Sequence, residues 1–397
     1  MAKNIKMGVF GLDRGSALLT SIEAIEGVTL HAVCDKNTEQ YEKIKKDNAA
    51  LTDDVLYFTN FDEFIESGIE AVFLANYFHE HCKFAIRCLE KGIAVLSDTT
   101  AAPTLKECVQ LCETVEKTGT KYMLGANVPF MDGIIELDRI YKTGNFGKIL
   151  YAEGEYFHME DENDAFRYAP FPSHWRNHLP GPYYNMHSLG PLMYITGEMP
   201  KYVNGRSVYA VPTKPKSYNK AYDAGSFCFY ETNNKALFRT TGCCQLGPTG
   251  KWFRLICENG TIETKRGNQD WIITSYTPWL KPEGVEKGYE DYDAPKNIKH
   301  EIQKTVTHGG SDYLMMQEFV DYLYDRTTPF FTVYPAVALS AAGIMGWMSV
   351  MDNGNCYEIP DFTDKEARAK WADHDKTPFP NEDGSGATWP CSISQDE

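Results

Sequence analysis

The sequence predicts two domains. The first, over residues 1–126, is α/β; the second, over 127–397, is α+β and built on a large, open, mostly antiparallel sheet. Three observations predict it. A chain of 397 residues exceeds one ordinary hydrophobic core. Up to about Gly125, short apolar runs alternate with helical periods, the mark of a parallel sheet covered on both faces. Beyond about Gly147, long strand-like runs follow one another with no helix between them.

The first domain opens with a buried strand, Ile5 to Phe10, followed by Gly11-Leu12-Asp13-Arg14-Gly15-Ser16 and an apolar-periodic helix to about Ile25. A second strand, Thr29 to Cys34, ends at Asp35. This is the layout of a dinucleotide-binding βαβ unit: Gly11 for the tight turn, a helix N-terminus for the pyrophosphate, and Asp35 to accept both ribose hydroxyls. A carboxylate there repels a 2′-phosphate, which favours NAD over NADP. The fingerprint is irregular, with Asp13 at the second glycine position and Ser16 at the third. Asp13 must point away from the pyrophosphate or be neutralised by Arg14. Asn60 with Glu63 reads as a capping pair. Further strands are expected at Ala71–Ala75, Ile93–Leu96 and from Tyr122, with helices between them that stop near Gly92 and Gly119. Ligands on such sheets bind beyond the carboxyl ends of the strands. Those ends carry Gly11, Asp35, Asn76 to His81, Asp98 and Asn127, which with Asp13 and Arg14 are the candidate cofactor contacts.

In the second domain, KILYAEGEYFH reads as a long strand leading to Tyr156 and His158. Strands are expected over Tyr202–Val211, Ser226–Thr232, Ala236–Cys243, Phe253–Glu258, Thr261–Lys265 and Trp271–Tyr276, with hairpin signals at Asn233-Asn234 and Asn259-Gly260. Residues 277–310 read as a surface loop, and Ser311-Asp312 as the cap of the next helix. An apolar helix over Val333–Met351 and the tail beyond it are expected to pack back on the first domain.

The chemistry concentrates between His174 and Gly197, in HWRNHLPGPYYNMHSLGPLMYITG. A Pro-, Gly- and Asn-rich loop carrying Trp175-Arg176 and Tyr184 runs through His187 into an apolar helix. A guanidinium, a phenol and an imidazole on a rigid support suit proton transfer and recognition of polar oxygens. Zinc ligation by His174, His178 and His187 lacks a Cys or carboxylate in a recognisable spacing, so no metal is expected. The net charge of −16, without a basic run, argues against nucleic acid or an anionic membrane as partner. No run of about eighteen apolar residues predicts a membrane span. Met1 to Lys6 shows no signal core, and the eleven scattered cysteines read as reduced, buried thiols, so a cytoplasmic protein is expected.

The element order resembles the glucose–fructose oxidoreductase superfamily (Gfo/Idh/MocA), a Rossmann domain followed by an open sheet whose face covers the nicotinamide. The resemblance runs over about residues 5–350. Members usually carry Glu-Lys-Pro, where the Lys helps move the substrate proton; Asp98-Thr99-Thr100 stand there in this chain. His187 matches the superfamily's site histidine, while Gly190 occupies the usual place of an Asp. These departures are similar to the NAD-dependent retaining α-N-acetylgalactosaminidases, which also lack the Lys. The matching text is Ala101-Ala102 with PTLKEC, EKTGTKYML before Asn127, EGEYFH at Glu153–His158, Trp175-Arg176, YNMHSLGP at Tyr184–Pro191 and HGGSDY at His308–Tyr313.

The resemblance implies NAD as cofactor, a sugar or glycoside as substrate, and redox-neutral glycoside cleavage through a 3-keto intermediate. It makes His187 the acceptor of the C3 hydroxyl proton, Tyr184 and Tyr156 the candidates for C2 deprotonation and leaving-group protonation, and Arg176 a donor to substrate oxygens. His158 and His308 come second. An ordinary NAD-dependent sugar or polyol dehydrogenase uses the same hydride site, and a non-catalytic sugar or nucleotide sensor can keep the fold. The alternating strands leave one sheet face to cover, from which a homo-oligomer is expected.

Overall fold

A computed structural model describes residues 4–209, 218–223, 225–243, 246–299, 302 and 306–394. The end of the strand expected over Tyr202–Val211, and Cys244, lie outside the described residues. The chain divides into two compact units: residues 1–130 with 296–337, and residues 131–295 with 338–397.

The first unit holds a six-stranded sheet. Its strands are β1 (Ile5–Phe10), β2 (Val28–Cys34), β3 (Leu56–Phe58), β4 (Ala71–Leu74), β5 (Ala94–Asp98) and β6 (Tyr122–Gly125). They lie in the order β3-β2-β1-β4-β5-β6, and every pair is parallel. Every residue of β4, β5 and β6 is buried, which is why these strands read as unbroken apolar runs rather than alternating ones. The helices between them have local start and stop signals. Asn60 caps Phe61–Ile65, accepting from Asp62 N at 2.7 Å, where the sequence pairs it with Glu63. The Thr104 hydroxyl caps Leu105–Thr118, accepting from Glu107 N at 3.2 Å and donating to the Glu107 carboxylate at 2.9 Å, and the helix ends on Gly119 at φ 66°.

The helix Ser311–Leu323 belongs to this unit, not to the second domain as the sequence boundary has it. Met315, Met316, Phe319 and Val320 are all 0% exposed, in one core cluster with Leu18, Leu19 and Ile22. Each such burial stabilises by about 1.5–3 kcal/mol. Chain position hid this, because the stripe sits far along the sequence from the sheet whose core it completes.

The second unit is built on nine strands. They are β7 (Ile149–Phe157), β8 (Pro200–Val208), β9 (Gly225–Thr232), β10 (Leu237–Cys243), β11 (Gly250–Cys257), β12 (Gly260–Lys265), β13 (Asn268–Tyr276), β14 (Tyr289–Asp293) and β15 (Tyr357–Glu358). The order is β14-β13-β12-β11-β7-β10-β9-β8-β15; β7 and β10 pair parallel and all other neighbours antiparallel. β14 falls inside the stretch expected to be a loop. Its sequence YEDYD is nearly all exposed at the sheet edge, so it carries no buried alternation.

Alternation along the strands gives the sheet two faces. On one, Cys228, Tyr230, Phe238, Phe253 and Leu255 are buried. On the other, Phe229 and Leu237 are exposed at 42% and 39%, beside the ion pairs Arg239–Glu153 (2.8 Å) and Arg254–Glu263 (3.6 Å).

The tail is placed in the second unit rather than the first. Phe379 is buried against Tyr183 with ring centroids 5.4 Å apart, Trp347 Nε1 donates to Pro390 O at 3.0 Å, and Ser173 Oγ donates to Glu382 O at 2.9 Å. Asp223, 1% exposed, accepts from the backbone N–H groups of Ile393 and Ser394 at 2.6 and 2.9 Å. These anchors decide where the tail lies, and none is visible as a periodic pattern. The apolar helix Val333–Met351 has the expected limits; its first turn counts with the first unit and the remainder with the second.

Candidate active site

In the first unit, Gly11 stands between β1 and the helix Leu12–Ala24 at φ 89°. A Cβ there would fall 2.6 Å from the backbone of Ala75 and Asn76, so only glycine fits. Asp35 Oδ2 accepts from Leu12 N at 2.7 Å, and Oδ1 from Asn37 N at 2.8 Å. The carboxylate thus fixes the glycine turn while each oxygen keeps a second acceptor site for a ribose hydroxyl. Asp13 is exposed. Asn76, at the end of β4, buries both amide atoms of its side chain without a hydrogen-bond partner. A dinucleotide at the strand ends satisfies such an amide, and the Gly11, Asp35 and Asn76 set fits that group.

Arg14 reaches two other carboxylates. Its guanidinium nitrogens donate to Asp312 at 3.1 and 2.9 Å, and its Nε lies 3.5 Å from Asp98. Asn127 Nδ2 and the Thr307 hydroxyl donate to the same carboxylate at 3.1 and 2.6 Å, and His308 Nδ1 lies 2.7 Å from it. Burial alone would raise the Asp312 carboxyl; the bond to His308 and the Arg14 charge instead hold it well below the usual carboxylate range. Asp312 therefore gathers Arg14, Asn127 and His308, a role hidden behind its reading as a helix cap. Gly310 occupies the cap position, without a side-chain bond.

His81 departs from its expected place among the cofactor contacts. Its ring is 2% exposed, with its two nitrogens 3.0 and 3.4 Å from the Asn76 and Thr100 carbonyl oxygens. Burial pushes it toward the neutral form against the pull of Asp98. It ties the ends of β4 and β5 together. A sequence shows a histidine after a strand but not which way the ring turns.

Thr99 takes φ 52°, a left-handed conformation that a β-branched residue adopts at a cost of about 1–3 kcal/mol. Its hydroxyl donates to Asp98 Oδ2 at 2.6 Å.

The second unit brings the tyrosines and the histidine together. Tyr156 projects from β7 on the buried face. His187 closes the 3₁₀ segment Gly181–His187, immediately before the helix Leu189–Thr196, whose end at Gly197 is left-handed as the sequence implies. The His187 ring lies 4.5 Å from Tyr156 and 5.0 Å from Tyr184, and the two phenol rings are 6.1 Å apart. Tyr156 is 7% and His187 9% exposed, whereas Tyr184 is half-buried. Three glycines set the segment there. A Cβ on Gly154 would fall 2.1 Å from Ser188 O, and one on Gly343 2.7 Å from Pro182 O; Gly346 packs on the Pro182 ring. The segment is clamped between β7 and the helix Val333–Met351.

Arg176 sits on another 3₁₀ turn, Trp175–His178. Its guanidinium lies 4.8 Å from the Trp175 ring and 5.4 Å from that of Tyr168. Glu160, 5% exposed, is 3.6 Å from Arg176 and 3.8 Å from His158. Burial, then the Arg176 charge, pushes His158 down toward its neutral form. Lys251 Nζ lies 5.5 Å from the Tyr156 ring centroid, and burial pushes its ammonium down against the opposing charge of Asp270. Glu160 and Lys251 were not legible as site residues. Lys251 becomes one only through the strand register that sets it opposite Tyr156. His174 accepts from Arg176 N at 3.4 Å, and His178 bonds to Pro172 O at 3.0 Å, so each has local work apart from His187.

Comparison with known proteins finds two family matches. Residues 5–126 match the model of the oxidoreductase family, NAD-binding Rossmann fold (Gfo/Idh/MocA). Residues 251–373 match the glycosyl hydrolase 109 C-terminal domain. The chain joins a Gfo/Idh/MocA NAD-binding domain to a glycosyl hydrolase 109 C-terminal domain. It is an oxidoreductase-fold enzyme whose cofactor is NAD.

Among its relatives are a glycosyl hydrolase family 109 protein of Shewanella putrefaciens and an α-N-acetylgalactosaminidase of Shewanella oneidensis. Each is 24% identical, and each alignment covers 90% of this chain and 85% of the relative. Levoglucosan dehydrogenase, solved with NADH and levoglucosan, shares the fold at TM-score 0.75 and 15% identity, over 90% of this chain and all of that one. The glycosyl hydrolase 109 match takes in Lys251 and His308, whereas Tyr156, Arg176, Tyr184 and His187 lie between the two matched regions.

Proposed function

We propose that this enzyme cleaves a glycoside without net redox, through a 3-keto sugar. The observation that carries the reading is the packed Tyr156–Tyr184–His187 group, with the Lys251 ammonium beside Tyr156, in a chain that matches the glycosyl hydrolase 109 C-terminal domain. NAD, when bound, supplies the acceptor and donor of hydride at C3.

His187 takes the proton of the C3 hydroxyl as C3 becomes a ketone. The ketone acidifies the C2 proton, which a phenolate of the Tyr156/Tyr184 pair removes. The C1 substituent then leaves, with its proton from the other phenol. Water adds its hydroxyl at C1 and gives its proton to the phenolate left by that departure, a solvent-exchanged proton passes from the first phenol to C2, and reduction at C3 restores the hydroxyl with the proton held on His187. Arg176 donates to substrate oxygens, and Glu160 holds it in place. The relative named as an α-N-acetylgalactosaminidase makes an α-N-acetylgalactosaminide the first substrate to try.

A second reading is an ordinary sugar dehydrogenase, supported by the fold shared with levoglucosan dehydrogenase. One experiment separates the two. The NAD-loaded enzyme is incubated with aryl glycosides of both anomers in heavy water while absorbance and mass are followed. Aglycone release with deuterium at C2 and no net NADH is expected. Stoichiometric NADH with an intact glycosidic bond refutes cleavage and supports the dehydrogenase.

A further inference from the structure

We propose that Lys251 is a positioning residue of this site: its ammonium faces the ring of Tyr156 and favours the phenolate that takes the substrate proton. The proposal rests on the reading of Tyr156 as an acid–base residue.

The geometry begins with register. β11 pairs antiparallel with β7, and Lys251 stands directly opposite Tyr156. Directly opposed residues project from the same face, so the lysine stem runs alongside the phenol. Nζ ends 5.5 Å from the ring centroid. On the other flank the partner of Tyr156 is Gly242 of β10, which has no side chain. Titratable groups that face Tyr156 among the described residues include Lys251 from β11, His158 from its own strand at 6.1 Å, and His187 and Tyr184 from the 3₁₀ segment at 4.5 and 6.1 Å. Of these four, Lys251 is the fixed cation. Arg176 acts on His158, and Glu160 lies within 4 Å of both of these.

Lys251 is half-buried, and among the described residues no carboxylate lies at ion-pair distance from it. Asp270 acts on it only from further off. A lysine drawn out of water without a paired carboxylate is costly on structural grounds alone. Its field falls on the phenol instead of being cancelled. A cation about 4–6 Å from an acid lowers its pKa by about one unit or more, so removing the charge should raise the Tyr156 midpoint about tenfold in proton activity or more.

The alternative is that the ammonium merely covers an apolar ring with its stem. The two are separated by titrating Tyr156 itself. The NAD-loaded protein is labelled with tyrosine carrying carbon-13 at Cζ. The Tyr156 signal is assigned by its loss in Tyr156→Phe, and its midpoint is followed in wild type, Lys251→Met, Lys251→Gln and Lys251→Arg without substrate. The expected result is a midpoint raised by about one pH unit or more in the Met and Gln variants and largely restored in the Arg variant. A midpoint that does not move in whichever of Met and Gln folds, judged by the rest of its spectrum, overturns the proposal. No substrate enters the measurement, so the two readings can fail separately. A shifted midpoint in an enzyme that cleaves no glycoside defeats the cleavage reading and leaves the charge coupling standing. An unmoved midpoint in an enzyme that cleaves glycosides defeats the coupling alone.

Discussion

Gly154→Ala should unseat His187 although residue 154 carries no chemistry. The new methyl would lie 2.1 Å from the carbonyl oxygen of Ser188 and 2.9 Å from its carbonyl carbon. Ordinary contact starts at 3.4 Å, and the obstacle is backbone, so the segment must retreat by more than about 1 Å or the strand must bend. Overpacking of this kind costs about 1–3 kcal/mol, and a rigid obstacle puts this site in the upper part of that range. Ser188 follows His187 directly, so the imidazole moves with it. A displacement of about 1 Å in a reacting group lowers turnover by about a hundredfold. Gly242→Ala is the matched control on the adjoining strand. Its nearest neighbours would be Ser188 Oγ at 3.8 Å and Gly181 O at 3.9 Å, so the methyl fits and stability should change by less than about 1 kcal/mol. Urea unfolding of both variants gives the stability difference, and steady-state turnover of the NAD-loaded forms gives the rate. If Gly154→Ala is as stable and as active as Gly242→Ala, the close approach at Ser188 does not set the segment.

Three further outcomes are expected. Asp312→Asn should cost at least about 2 kcal/mol at neutral pH, because Arg14 and His308 lose their shared carboxylate. The folded-state carboxyl lies well below its unfolded value of about 3.9, so its contribution is whole above about pH 5 and fades as pH falls through that value. Urea unfolding should show the gap to wild type narrowing in acid; a gap independent of pH rules this out. Thr99→Asn should stabilise by about 0.5–1 kcal/mol, since Asn tolerates φ 52° and can replace the hydroxyl's bond, and thermal unfolding with no gain argues against strain at this position. The exposed sheet face bearing Phe229, Leu237 and the Arg239–Glu153 pair is the expected surface of self-association. Light scattering at micromolar concentration should find an oligomer that Phe229→Glu dissociates, and a monomeric wild type refutes it.

The first unit was legible because its strands are buried on both faces and its helices carry local caps. Asn60, Thr104 and Gly119 announce themselves within a few residues of what they do. Arg176, Tyr184 and His187 were nameable because polar groups on a Pro- and Gly-rich loop running into an apolar helix are a local pattern, and Tyr156 because a strand-like run leads to it and the family resemblance singles it out. What surrounds them was not. Lys251 lies in an ordinary alternating strand, and only its register makes it a neighbour of Tyr156. Asp312 reads as a helix cap until Arg14, almost three hundred residues away in sequence, is seen to reach it. β14 shows no alternation because both its faces meet water. The glycines of the helix Val333–Met351 look like weak points in an apolar run, yet they are where Pro182 comes close.

The clamp on the segment Gly181–His187 has an order in time as well as in space. Its first wall, β7, is synthesised before the segment; the helix Val333–Met351 and the Phe379 contact that supports Tyr183 are made long after it. A growing chain therefore carries its Tyr–His segment through most of the translation that remains with one wall present and the others still unmade. Contacts this distant in sequence form slowly, and an apolar segment waiting for them is open to wrong partners. Refolding should show the Tyr183 environment maturing last, after the sheet has formed. Substitutions at Phe379 should then lower the yield of active enzyme more than they lower the stability of whatever folds.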